Sequence, residues 1–205
     1  MKLNRLKNIS PMISTRKGGD CMKSMIKKAV VMVVAASVIM SGSVASLAST
    51  STEIEGGSLT LLDTPQAGDF GTVTLDGGIQ DVSTTFGGFA VVDSRGTGDG
   101  WHVKVKASQF ETEGGAQKLP ENSMSISEPT VSAHDGASNE TTITTQSGKI
   151  DHASGLKILS ANENGGMGTY DISFDADALH LNLQPKDVKV GTYTSTIEVS
   201  LTSGP

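Results

Sequence analysis

The sequence predicts an all-β protein: an antiparallel β-sandwich of about nine or ten short strands behind a cleaved N-terminal signal segment. Three observations lead there. Apolar and polar residues alternate over short segments, glycine-rich turn signals separate those segments, and no helical apolar period persists beyond about two turns. Period two with one apolar parity describes a strand with one buried face and one wet face, as in antiparallel sheets.

In chain order, residues 1–48 come first. Lys27-Lys28 precede an apolar run, Ala29–Met40, and small residues follow from Ser41 to Ala48. Charge, apolar run and small residues in that order are a secretory signal. A membrane span needs about 20 apolar residues, and the run breaks at Ser41-Gly42. The sequence therefore predicts cleavage and no stable membrane span afterwards. Cys21, the single cysteine, precedes the apolar run and would leave with the leader. The mature chain then holds no disulfide, thiolate metal site or cysteine nucleophile.

Residues 49–57 read as a flexible lead-in, and residues 58–205 as one domain. Its expected strands are Ser58–Leu62, Gly71–Leu75, Phe89–Asp93, Trp101–Ala107, Met124–Ser127, Thr141–Thr145, Leu156–Ala161, Tyr170–Asp175, Leu179–Leu183 and Tyr193–Leu201. On the fourth, Trp101, Val103, Val105 and Ala107 share one face, and His102, Lys104 and Lys106 the other. On the last, Tyr193, Ser195, Ile197, Val199 and Leu201 share one parity. Asp76-Gly-Gly, Gly87-Gly88, Gly96–Gly100, Glu113-Gly-Gly and Asn164-Gly-Gly supply turns with positive φ available. Residues 112–155 are poor in large apolar groups, so the longest loops are expected there.

Charge is uneven. Residues 1–48 carry eight bases and one acid, which leaves 16 − 8 = 8 bases and 22 − 1 = 21 acids for residues 49–205, a net of −13. That sign excludes capture of nucleic acid or an anionic lipid surface as the primary activity. No catalytic or metal motif stands out. The four histidines (His102, His134, His152, His180) are far apart, and no Gly-x-Ser-x-Gly elbow occurs after the leader. Asp171, Asp175 and Asp177 read as a solvated strand edge, since no calcium-loop pattern accompanies them. Gly96-Thr-Gly-Asp-Gly100 lacks the lysine and helix of a phosphate loop and reads as a turn. No metal, cofactor or enzymatic activity is expected.

Two segments remain: Asp93-Ser-Arg-Gly-Thr-Gly-Asp-Gly-Trp-His-Val103 and Gly191-Thr-Tyr-Thr-Ser-Thr-Ile-Glu-Val-Ser-Leu201, the latter running on to Pro205. Together they resemble the WxL-domain surface proteins of low-GC Gram-positive bacteria. In that family an Asp-x-Arg-Gly turn (here Asp93, Arg95, Gly96, with Gly98 and Gly100) leads into a first Trp-x-Leu, and a second Trp-x-Leu closes the domain. Here the first motif is Trp101-His102-Val103, with valine for leucine, and the second is Val199-Ser200-Leu201, with the tryptophan absent. The resemblance implies a non-enzymatic secreted module at the cell surface. It would bind peptidoglycan or another wall glycan non-covalently and assemble with other surface proteins of WxL clusters. The six motif residues are its candidate binding residues.

Alternatives stay open at two side chains. Trp101 either faces the core, as its parity with Val103 and Val105 suggests, or offers its face to a wall sugar. If buried, the binding surface lies elsewhere, on the polar face (His102, Lys104, Lys106) or in the turn. Arg95 either pairs with Asp93 or Asp99 or contacts a wall carboxylate. A net of −13 against an anionic wall favours local hydrogen bonds, stacking or bridging divalent ions over counterion release. The competing function is an Ig-like adhesive subunit that joins partner proteins through an exposed edge strand, without direct wall contact.

Overall fold

The computed structural model describes residues 50–205. The expected signal segment, its possible cleavage sites and Cys21 lie outside the described residues. Fourteen strands follow one another: β1 (Leu59–Leu62), β2 (Gln80–Thr84), β3 (Phe89–Asp93), β4 (Trp101–Ala107), β5 (Glu111–Thr112), β6 (Met124–Ile126), β7 (Thr130–Ala133), β8 (Ile143–Thr145), β9 (Gly148–Lys149), β10 (Leu156–Ala161), β11 (Gly168–Ser173), β12 (Leu179–Leu183), β13 (Tyr193–Thr194) and β14 (Ile197–Ser203). The helical content of the described residues is two single 3-10 turns, Glu113–Gly115 and Glu140–Thr142.

All pairings are antiparallel. One sheet runs β1-β3-β11-β7, a second β14-β4-β10-β8, a third β2-β12-β6-β9, and β13 pairs with β5 alone. Their inner faces share one core, which explains the alternation. On β4, Trp101, Val103, Val105 and Ala107 are buried and His102, Lys104 and Lys106 point out. Leu179, Leu181 and Leu183 of β12 and Tyr170 and Ile172 of β11 enter the same core. β10 breaks the rule with two consecutive buried residues, Ile158 and Leu159. A bulge between Lys157 and Leu159 admits the extra side chain.

Several expected elements change form. Fourteen strands replace nine or ten, partly because β5, β9 and β13 are only two residues long. β2 and β7 lack large apolar residues apart from valine, so their alternation is faint. Gly71–Leu75 forms no strand: the Asp69 carboxylate accepts from the Gly71 N–H at 2.7 Å, and Gly71 turns the chain at φ +71°. Thr141–Thr142 belong to a 3-10 turn that the Asn139 side chain caps through Thr141 N at 3.0 Å; the strand starts at Ile143. Residues 112–155 carry five strands or parts of strands rather than the longest loop, which runs instead over 63–79 with a single bridge, Ala67 to Phe86.

The expected strand Tyr193–Leu201 is two strands. Ser108 divides it: its N–H donates to Thr196 O at 2.9 Å and its Oγ accepts from Thr196 N at 3.0 Å. Before that clasp the chain pairs with β5, and after it with β4.

Candidate functional site

The turn between β3 and β4 is built around one ion pair. Asp93, the last residue of β3, is buried and receives Arg95 in fork geometry: Nε to Oδ1 at 2.9 Å and Nη2 to Oδ2 at 2.8 Å. The Arg95 backbone N–H adds a third bond to Oδ1 at 3.1 Å. These hydrogen bonds hold the Asp93 carboxyl below its usual range against the opposing effect of burial, and the same partner raises Arg95. Nη2 also donates to Gly100 O at 2.8 Å, and Nη1 donates to the Ser203 hydroxyl on β14. Asp99 lies at 3.8 Å. One guanidinium therefore ties the start of the turn, its end and a distant strand together.

Gly96, Gly98 and Gly100 all hold φ near +70°, where a Cβ is strained. At Gly100 a Cβ would also stand 2.4 Å from Ala161 O, so the close approach of β10 demands glycine twice over.

From this turn the chain enters the core at Trp101, which is fully buried. Its indole N–H donates to Gly166 O at 2.8 Å, and its ring centroid lies 6.0 Å from that of Tyr170 at 58°. Tyr170 donates to Ser138 O at 2.8 Å, with Met167 O at 3.0 Å, and burial pushes its phenol up. His102 points outward, its Nδ1 2.7 Å from Gly204 O. A carbonyl only accepts, so Nδ1 carries the hydrogen, and Nε2 has no hydrogen-bond partner among the described residues.

β14 lies beside β4 in continuous register: Val103 faces Leu201, Lys104 faces Ser200 and Val105 faces Val199. Residues 101–103 and 199–201 are thus neighbours on adjoining strands, with the Arg95 clamp closing the end where Trp101 meets Ser203. Ile197, Val199 and Leu201 are partly buried against the core from this outermost strand.

Over residues 48–205 the sequence matches the family described as WxL domain surface cell wall-binding. The chain belongs to the WxL family. No curated protein and no solved structure gives a significant match.

Within this WxL domain the sequence-derived site divides by direction. Trp101, Val103, Val199 and Leu201 face inward, so the indole has no surface on which a sugar could stack. His102 and Ser200 face outward, His102 in the same row as Lys104 and Lys106. Arg95 spends four of its five N–H donors on Asp93, Gly100 and Ser203, which is a structural use rather than a free contact for a wall carboxylate.

Sequence reasoning missed three partners of the WxL unit: Gly166, Tyr170 as the indole's neighbour, and Ser203. Gly166 had a signal, since Asn164-Gly-Gly marks a turn, but nothing local tells that its carbonyl meets Trp101 65 positions away.

The remaining histidines stand apart. His134 pairs with exposed Asp171 at 2.8 Å, His152 contacts Lys149 O at 3.0 Å, and His180 Nε2 lies 3.1 Å from Ser127 Oγ in an open cleft of about 410 Å³. Among the described residues no group of three or more His, Cys, Asp or Glu side chains is placed to hold a metal.

Proposed function

We propose that this WxL domain is a non-enzymatic secreted protein that associates non-covalently with peptidoglycan at the cell surface, alongside other surface proteins of the same kind. The observation that carries this reading is the family match over residues 48–205, together with the Asp93–Gly100 turn and the side-by-side placement of residues 101–103 and 199–201 on β4 and β14, though the second motif lacks its tryptophan. The unit supports it indirectly. Its buried parts fix the two strands, so contact with the wall belongs to groups on their outer face.

Purified peptidoglycan tests the reading. Incubation with the mature protein and sedimentation should deplete it from solution, while an unrelated acidic protein stays in the supernatant. A mature protein that remains wholly soluble would sink the proposal.

One observation favours a second reading. β14 is the outermost strand of its sheet, and an outermost strand can receive a strand from another chain. An adhesive subunit of that kind would show no depletion and would co-elute with a partner surface protein.

A further inference from the structure

Residues 49–205 contain 21 acids and only eight bases: Arg95, Lys104, Lys106, Lys118, Lys149, Lys157, Lys186 and Lys189. Three of those eight share one face of one sheet. Lys104 and Lys106 alternate outward along β4, and Lys157 of β10 stands directly opposite Lys104 in the register. Like charges in directly opposed positions destabilise a sheet. A relieving carboxylate would cost this sequence little, since acids outnumber bases by more than two to one, yet among the described residues none approaches these three within 4.0 Å. Arg95, Lys118 and Lys186, by contrast, each have an acidic partner.

The surroundings of the strip are neutral hydroxyls. Ser160 of β10 and Thr202 of β14 flank His102, and Ser200 flanks Lys104 on the side away from Lys157. Glu198, opposite Lys106, is the one acid in the register of these strands and forms no ion pair with it. His102 continues the row, with Nε2 available.

We propose that this outer face of β4 and β10, centred on Lys104, Lys106 and Lys157, is the surface by which the domain docks on the wall, its occupant being the stem-peptide carboxylates of peptidoglycan. The inference rests on the wall-binding reading above and names the surface that performs it. Charge complementarity supplies the occupant. Elsewhere the domain is strongly acidic and would be repelled, so an anionic mesh can approach only where cations are concentrated; the same asymmetry orients the encounter. The Cβ atoms that carry these side chains, on neighbouring strands or two residues apart, stand about 5–7 Å from one another. That spacing suits separate, singly charged carboxylates, with the serine and threonine hydroxyls available to sugar and amide groups between them. Strands β4 and β10 present this face outward because Trp101, Val103 and Val105 of β4 and Leu159 and Ala161 of β10 anchor the opposite face in the core.

The test uses sacculi stripped of phosphate polymers and three forms of the mature protein: wild type, Lys104→Gln/Lys106→Gln/Lys157→Gln, and Lys149→Gln/Lys186→Gln/Lys189→Gln, which removes the same charge elsewhere. The first triple variant should fold at least as stably as wild type, because it relieves the Lys104–Lys157 repulsion, and should bind on the order of tenfold more weakly or worse. The second should bind within about twofold of wild type. Equal binding by wild type and the first triple variant, both folded, would overturn the inference while leaving wall binding intact. Equal loss in both variants would overturn it too, since net charge rather than this face would then be acting. Loss seen only on walls that retain phosphate polymers would refute the carboxylate as occupant. A wild type that ignores sacculi altogether would instead remove the reading on which the inference stands.

Discussion

Trp101 combines the largest side chain in the core with a hydrogen bond to Gly166 O, and the two are coupled. At Gly166 a Cβ would sit 2.6 Å from the indole nitrogen and 2.4 Å from the Ala161 methyl, so glycine there is what lets the ring seat. Trp101→Ala empties that space and strands the carbonyl, and should lower unfolding free energy by about 3–5 kcal/mol in chemical denaturation. Asp93 is the other residue whose loss should be measurable. Its carboxyl is depressed below the unfolded value of about 4, so its contribution is fully present above that value. The contribution is lost as pH falls through the lower, folded value. Asp93→Asn should therefore cost about 2 kcal/mol at neutral pH, and its deficit against wild type should shrink in denaturation measured progressively below pH of about 4. The inward direction of Trp101 was legible in the sequence because parity with Val103 and Val105 is a local property. Its partners were not, because Gly166 and Tyr170 meet it through pairings more than 60 positions long.

At the level of elements, legibility followed the density of large apolar residues. β3, β4, β10 and β12 have the boundaries their apolar pattern predicts. β2 and β7 escaped notice because edge positions leave one face wet and the other only half covered, so small and polar residues suffice. The split at Ser195-Thr196 is a tertiary effect: the pattern runs on through it, and only the hydroxyl and backbone of Ser108 divide β13 from β14. β14 covers the whole of β4 by register, from Ile197 against Ala107 to Ser203 against Trp101. It also gives Arg95 an anchor at Ser203. Removing residues 197–205 should expose one edge of Trp101, Val103 and Val105 together. The expected outcome is loss of the cooperative thermal transition and of near-ultraviolet dichroism, whereas a merely peripheral edge strand would leave both in place.

For the molecule as a whole, the net charge of residues 49–205 speaks against attraction to an anionic wall, and the sequence alone led to hydrogen bonding, stacking or ion bridging instead. Composition averages over the surface and cannot see that Lys157 comes to lie across from Lys104, since the β10 register with its bulge decides that. With the cations gathered on one face, attraction is local while repulsion is spread out. Salt screens the spread-out repulsion first, so sedimentation with sacculi should weaken only at high salt, where the Debye length falls to about 3 Å at 1 M and reaches the contacts themselves. Undiminished binding at high salt would return the weight to uncharged contacts.

The pairing of β4 with β14 also bears on how the polypeptide acquires its shape during synthesis. Partners such as Trp101 and Ser203 are separated by about 100 positions, and ribosomes deliver residues at roughly 5–20 per second. For some 5–20 seconds the indole strand exists without its neighbour, and closing so long a loop is slow by topology alone. The nascent chain consequently spends that interval open, and locks only once the distant partner has emerged.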